Sequence, residues 1–229
     1  MSTALRCASP IEGLVLRITK LNSCGVPITG TGGQVAGTGS GQLVMDGFTE
    51  VQSSPQYDTG DRVITRKANG LLCQNFKIPD QYTNDEVTAN FCVWNPALIP
   101  LTIGGRLLTA TESPTGTGFA YGTNMNDELL LAHWSLEIWQ APPQGCENST
   151  VYYPYHAWPH LIDGKIGDYS INLDATMLQI VADTADASPS WYIGNPYLGA
   201  GAIQFGDHHL YNLTTVAPPT STCFLADVP

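Results

Sequence analysis

"EVTANFCVW", residues 86 to 94, sets Val87, Ala89, Phe91 and Val93 on one side and Glu86, Thr88, Asn90 and Cys92 on the other. A period of two over this length describes a strand with one buried face. The pattern then breaks. In "NPALIPLTIGG" (95–105), Asn95 suits a helix cap, Pro96 suits the first helical position, and Ala97-Leu98-Ile99 begins an apolar face that stops near Gly104-Gly105. Pro100 has no N–H to give to the helix, so the spacing predicts a short or kinked one. A long alternating strand followed by one brief helix points to a mainly β fold.

The same period recurs on both sides of this stretch. "LVLRITKL" (14–21) alternates Leu14, Leu16 and Ile18, and "LAHWSLEIW" (131–139) turns Ala132, Trp134, Leu136 and Ile138 one way and His133, Ser135 and Glu137 the other. The second set is polar and is expected on a solvent side. "DGFTEVQ" (46–52) and "DRVITRK" (61–67) read as paired strands across the loop "SSPQYDTG" (53–60), and Asn69-Gly70 has the residues of a tight type I′ hairpin. "IGDYSINL" (166–173) and "MLQIVA" (177–182) read as another pair. The end of the chain, "NLTTVAPPTSTCFLADVP" (212–229), carries one charge, two adjacent prolines and no helical period, which predicts an extended arm. One domain is expected: an N-terminal arm over 1–13, a β core over 14–211 and a C-terminal arm over 212–229.

Composition agrees. Of 229 residues, Gly and Pro make 23 and 16, a profile of strands joined by turns, and 43% hydrophobic content supports a sizeable core. The N-terminus lacks the apolar stretch of a secretory signal, and no run approaches a membrane-spanning helix, so the chain reads as soluble and cytoplasmic in synthesis. The six cysteines are dilute and are read as mostly free thiols. Charge is lopsided. Residues 1–106 hold eight Lys/Arg against eight Asp/Glu, whereas 107–229 hold Lys165 against twelve acids, and this half supplies the whole formal −11. Repulsion of a polyanion is one use for such a surface.

Catalytic and cofactor chemistry finds little to stand on. The glycine-dense "GTGGQVAGTGSGQ" (30–42) lacks the Lys-Ser/Thr that completes a phosphate loop, and no G-x-S-x-G elbow occurs. "YYPYHAWPHLIDGKIGDYSI" (152–171) is the richest local cluster, with His156 and His160 four apart, but Pro154 and Pro159 oppose a helix there. In a strand the two imidazoles stand ~13 Å apart, too far to share a metal. Asp163-Gly164 predicts a turn. The chain is read as a non-enzyme without metal or cofactor.

Taken in order, "LRITKLNSCGVPI", "DGFTEVQ", "DTGDRVITRKANGLLCQNFKIPDQYTNDEVTANFCVWNPALI", "HWSLEIWQ" and "YHAWPHLIDGKIGDYSINLDATMLQIVADTADASPSWYIGNPY" resemble the major tail protein of long-tailed bacteriophages, especially those of actinobacteria, over most of residues 14–197. The resemblance implies a tail-tube β-sandwich or barrel with one short flanking helix and extended terminal arms. It implies hexameric rings of this chain stacked into a tube, with the tape measure protein and tail terminator or baseplate proteins as partners and viral DNA passing through without sticking. Localisation would be the virion tail, assembled in the host cytoplasm. Contacts between subunits or rings would fall to the loop containing Pro55, Tyr57 and Asp58 and to the tail with Phe224 and Leu225. Glu137 and Asp168, on the polar sides of their strands, are the expected lumen-facing acids. A carbohydrate-binding or adhesion β-sandwich is the competing reading.

Overall fold

A computed structural model describes residues 12–28, 41–93, 95, 97–104, 106–107, 121–122, 132–142, 151–167, 170–171, 176–192, 195–199 and 201–221. The fold is mainly β, with antiparallel pairing and one short helix. The main strands are β1 (Gly13–Leu21), β2 (Gln42–Met45), β3 (Phe48–Asp58), β4 (Arg62–Arg66), β5 (Leu72–Lys77) and β6 (Gln81–Phe91), followed by α1 (Leu98–Thr102). After the two-residue strands β7 (Arg106–Leu107) and β8 (Tyr121–Gly122) come β9 (His133–Gln140), β10 (Tyr153–Ile166), β11 (Ser170–Ile171), β12 (Thr176–Thr184) and β13 (Leu210–Thr214). Among the described residues no helix is long and apolar enough to cross a membrane.

The central sheet runs β2-β1-β9-β10-β12-β6-β3, with β13 added to β10 and β11 to β12. Its two outermost strands, β2 and β3, are joined by Asp46 and Gly47 alone. Seven strands laid flat would separate those edges by about 29 Å, whereas three residues of chain reach at most about 11 Å. The sheet therefore rolls until its edges meet. Phe48 at the start of β3 lies against Gly13 at the start of β1, 2.5 Å from where a Cβ would sit. At the corner, the Gly47 carbonyl accepts the N–H groups of Cys92 (2.9 Å) and Val93 (3.1 Å), and a side chain on Gly47 would strike the Val93 carbonyl.

The inside of the roll is filled by Leu16, Ile18, Met45, Val87, Phe91, Trp134, Leu136, Trp158, Leu161 and Ile180, and α1 plugs it with Leu98, Ile99 and Leu101. The helix is short, as its sequence predicts. Asn95 Oδ1 accepts the Ala97 N–H (2.8 Å), the C-terminal Gly104 takes φ +81, and Pro100 falls within the first turn, where its N–H would have had no partner. Alternation in β6 also holds, apart from Val93, which lies beyond the strand and is exposed.

Four sequence expectations need correction. The partner of β3 is β6 (Val51↔Ala89, Pro55↔Asp85), and β4 pairs with β5, so 46–52 and 61–67 are not a pair. The pairing is nested: β3, at the far edge, reaches past the β4-β5 hairpin to β6. Residues 53–58 of the expected loop continue β3. Asp163-Gly164 is a bulge within β10, where Asp163 takes φ 53 and Gly164 packs against the Thr102 carbonyl, so the strand does not turn back. The C-terminal arm does not begin at Asn212, because Leu210–Thr214 form β13 and pair with β10 from Ala157 back to Tyr153, burying Thr214. In the expected pair over 166–182, Ser170 and Ile171 do pair with Met177 and Thr176.

Candidate assembly surfaces

β3 and β6 are each eleven residues long. Their first and last halves differ in what they touch. Near the body, Val51 packs on the core and Val87, Ala89 and Phe91 are buried. Farther out, Pro55↔Asp85, Gln56↔Asn84, Tyr57↔Tyr82 and Asp58↔Gln81 continue as a two-stranded ribbon in which Pro55, Gln56, Tyr57, Asp58, Gln81 and Tyr82 are all exposed. Pro55 is tolerated because β3 is the outer strand here and has no second neighbour needing its N–H. Tyr57 and Tyr82 meet edge to face at 5.8 Å, the usual geometry for paired rings. Partial burial and then Asp85 push the Tyr82 hydroxyl up to about 12.

Beyond Gly60, whose N–H is held by Asp80 Oδ1 (3.0 Å), the chain forms the β4-β5 hairpin. Every residue of this hairpin is exposed, on both faces. Its turn is not type I′. Of Asn69 and Gly70, only Gly70 has positive φ (+83), whereas type I′ needs it at both. Gly70 N–H bonds to the Lys67 carbonyl (2.9 Å) and Lys67 N–H to Leu71 (2.8 Å), which makes a longer loop with glycine in the left-handed position. Ile64, Leu71, Leu72 and Phe76, at 50%, 63%, 51% and 47% exposure, stand in solvent. An isolated two-stranded hairpin is marginal in water, and this one has apolar side chains with nothing to bury them.

The structure thus gathers Pro55, Tyr57 and Asp58 onto one projecting arm, as strand residues. Phe224, Leu225 and Asp168 lie outside the described residues. Glu137 is not on a solvent or lumen face, and the correction has a clear cause. The segment after β12 crosses the outside of β1, β9 and β10 and covers them with Ala187, Trp191, Tyr197, Leu198 and Ile203. Glu137 is 1% exposed beneath this cover, and Ser135 is also buried. Arg17 Nε and Nη2 donate to Glu137 Oε2 (2.5 Å) and Oε1 (2.6 Å), and the Tyr155 hydroxyl (2.5 Å) and Asn195 amide (3.1 Å) donate to Oε1. The Arg17 guanidinium also sits 5.3 Å from the ring centres of Trp139 and Tyr197. Burial opposes the charge on Arg17, but the Glu137 carboxylate outweighs it and the Arg17 pKa is raised. Burial and Glu137 together raise that of Tyr155.

The acids on an open sheet face are others. Outside the roll, β3, β6 and β12 align Ser54–Glu86–Asp183, Gln52–Thr88–Val181 and Glu50–Asn90–Gln179 in three rows, all of them exposed or half-buried. These nine residues include three carboxylates and no cation, and exposed Lys165 of β10, opposite Val181, borders them. Alternation in "EVTANFCVW" already signals it, through Glu86, Thr88 and Asn90.

All five histidines are spent on holding the cover. His133 Nδ1 and His160 Nε2 are 2.9 Å apart, and His160 Nδ1 lies 3.0 Å from the Asp186 carbonyl, which can only accept. His160 therefore donates through Nδ1, and in its neutral form takes the His133 Nδ1–H at Nε2. His156 faces His209 at 3.1 Å, and His208 meets the Thr184 hydroxyl at 2.8 Å. His133 is thus half-buried in a pair, and His156 and His160 join different partners. Among the described residues no three potential ligands come together to hold a metal. Cys24, Cys73 and Cys92 are free and exposed.

The chain matches no protein-family model, and no curated protein matches it.

Proposed function

We propose that this chain is a structural protein that assembles with copies of itself into hexameric rings stacked as a tube, the tail tube of a long-tailed bacteriophage. The observation that carries this reading is the projecting arm. Its β4-β5 hairpin exposes both faces, including Ile64, Leu71, Leu72 and Phe76, and has no core of its own. Such a ribbon gains its stability from a partner, and a rolled body with a free arm suits head-to-tail association, which closes into rings or propagates as a filament. The resemblance over residues 14–197 supports the same assignment, with the virion tail as location and tape measure, terminator and baseplate proteins as further partners.

In this reading the open face of β3, β6 and β12 lines the channel. Glu50, Glu86 and Asp183 take the part first expected of Glu137. A wall of like charge keeps DNA off the surface, whereas Lys and Arg would hold it through counterion release. Only carboxylates within about 8 Å of the passing duplex are felt at physiological salt.

The test is direct. Purified protein at high concentration should form rings or tubes in negative-stain micrographs and show concentration-dependent light scattering. A strict monomer under all conditions would overturn the reading, and if that monomer bound glycans it would favour an adhesion sandwich.

A further inference from the structure

The hairpin differs from the rest of the chain in charge. Residues 62–77 contain Arg62, Arg66, Lys67 and Lys77, four of the nine Lys/Arg, and none of the twenty Asp/Glu. The remainder holds five cations against twenty acids, or −15. The base of the hairpin carries Asp58, Asp61 and Asp80, and Asp80 takes Lys77 at 2.8 Å. Arg62 and Arg66 have other roles locally: Arg62 Nε donates to Asn75 Oδ1 (2.9 Å) and Arg66 Nη1 to the Gly70 carbonyl (3.2 Å). Among the described residues, no carboxylate forms an ion pair with Arg62, Arg66 or Lys67.

The register sharpens this. Arg62 lies directly opposite Lys77, and directly opposed like charges weaken a ladder. Because side chains alternate, Arg62, Ile64 and Arg66 share one face with Asn75, Lys77 and, across the bulge after Thr65, Leu72, while Val63 and Thr65 pair with Phe76 and Gln74 on the other. The three cations of the two strands therefore share one face, with Ile64 and Leu72 among them, and the other face carries none. A hairpin fitted only to an apolar groove has no use for the first.

Resting on the assembly reading above, we infer that the basic face of the β4-β5 hairpin docks on the acidic body of a second copy of this chain. Charge decides among occupants. Nucleic acid and anionic lipid would also attract Arg62, Arg66 and Lys67, but they would meet Asp58, Asp61 and Asp80 at the base of the hairpin on a chain whose remainder sums to −15. A second copy presents that same surplus as an attractive surface and is the one partner for which both ends are complementary. Body and body repel, hairpin and body attract, so the contact is directional and side-by-side clustering is disfavoured.

The experiment compares three full-length chains in sedimentation and electron microscopy: the parent, an Arg62→Glu/Arg66→Glu double variant and an Arg62→Lys/Arg66→Lys double variant. The charge reversal should raise the concentration needed for assembly at least ~10-fold, or abolish assembly, while the lysine variant stays within ~3-fold of the parent. Unchanged thermal melting in all three keeps the comparison about association. If the charge-reversed chain assembles like the parent, the electrostatic docking is wrong and the assembly reading stands. If the parent never assembles, the assembly reading falls first. Retention of duplex DNA or phosphatidylglycerol vesicles by parent protein through Arg62 and Arg66 would overturn the choice of partner.

Discussion

Replacing Glu137 by alanine tests the most consequential feature of the interior. The carboxylate receives two donors from Arg17 and one each from Tyr155 and Asn195, all under the cover formed by Ala187, Trp191, Tyr197, Leu198 and Ile203. Its removal leaves the Arg17 guanidinium, itself only 12% exposed, without a counter-ion. Breaking one partner out of a buried pair costs about 3–5 kcal/mol, because the remaining charge stays desolvated. The faces of Trp139 and Tyr197 return part of that, about 1 kcal/mol. The net expectation is a loss of about 2–4 kcal/mol, which for a chain of this size is a fall in Tm of roughly 4–16 °C. Urea unfolding at pH 7 measures the stability, and calorimetry the melting. A double variant, Arg17→Met with Glu137→Leu, removes both charges and should recover most of the loss. Glu137→Lys should fail to fold, since it sets two cations together beneath Trp191 and Tyr197. An alanine variant within ~1 kcal/mol of the parent, or a double variant no better than the single, would refute the argument.

Other outcomes follow from specific contacts. Burial, and secondarily His209, depresses the His156 pKa from 6.5 to about 4. The unfolded chain therefore binds the proton first, and stability should fall as pH drops from 6.5 towards 4, by about 1–2 kcal/mol from this residue once screening of its partly exposed ring is allowed for. His156→Gln should flatten urea midpoints across that window, and an unchanged pH profile would contradict the pairing. At the corner between β2 and β3, Gly47→Ala drives a methyl into the Val93 carbonyl and should cost at least about 2 kcal/mol by chemical denaturation. A loss under ~0.5 kcal/mol would mean the roll closes another way. Truncation after Thr214 should leave cooperative melting intact, whereas truncation before Leu210 removes β13 and should lower Tm, so equal melting of the two would remove β13 from the fold.

Alternation along β6, the brief apolar face after Asn95, and the extended character of 152–162 were all determined by the sequence alone, because each depends on neighbours a few residues apart, whereas the helix cap falls at Ala97 and not at Asn95. The basic hairpin is equally local and is visible in residues 62–77 to a reader counting charge. Three things belonged to the tertiary structure. Which strands pair was decided at long range: the two-residue link between β2 and β3 forces the sheet to roll, and β3 pairs with β6 around the nested β4-β5 hairpin. Whether a second face is buried was decided by a distant cover. A period of two shows that β9 has two faces, but His133, Ser135 and Glu137 look solvent-side until Ala187, Trp191, Tyr197, Leu198 and Ile203 lie across the sheet. The last is the ion pair itself. Arg17 and Glu137 are 120 residues apart, and nothing local marks either as buried. A carboxylate's surroundings depend on everything that folds over it, and alternation reports only which way it points.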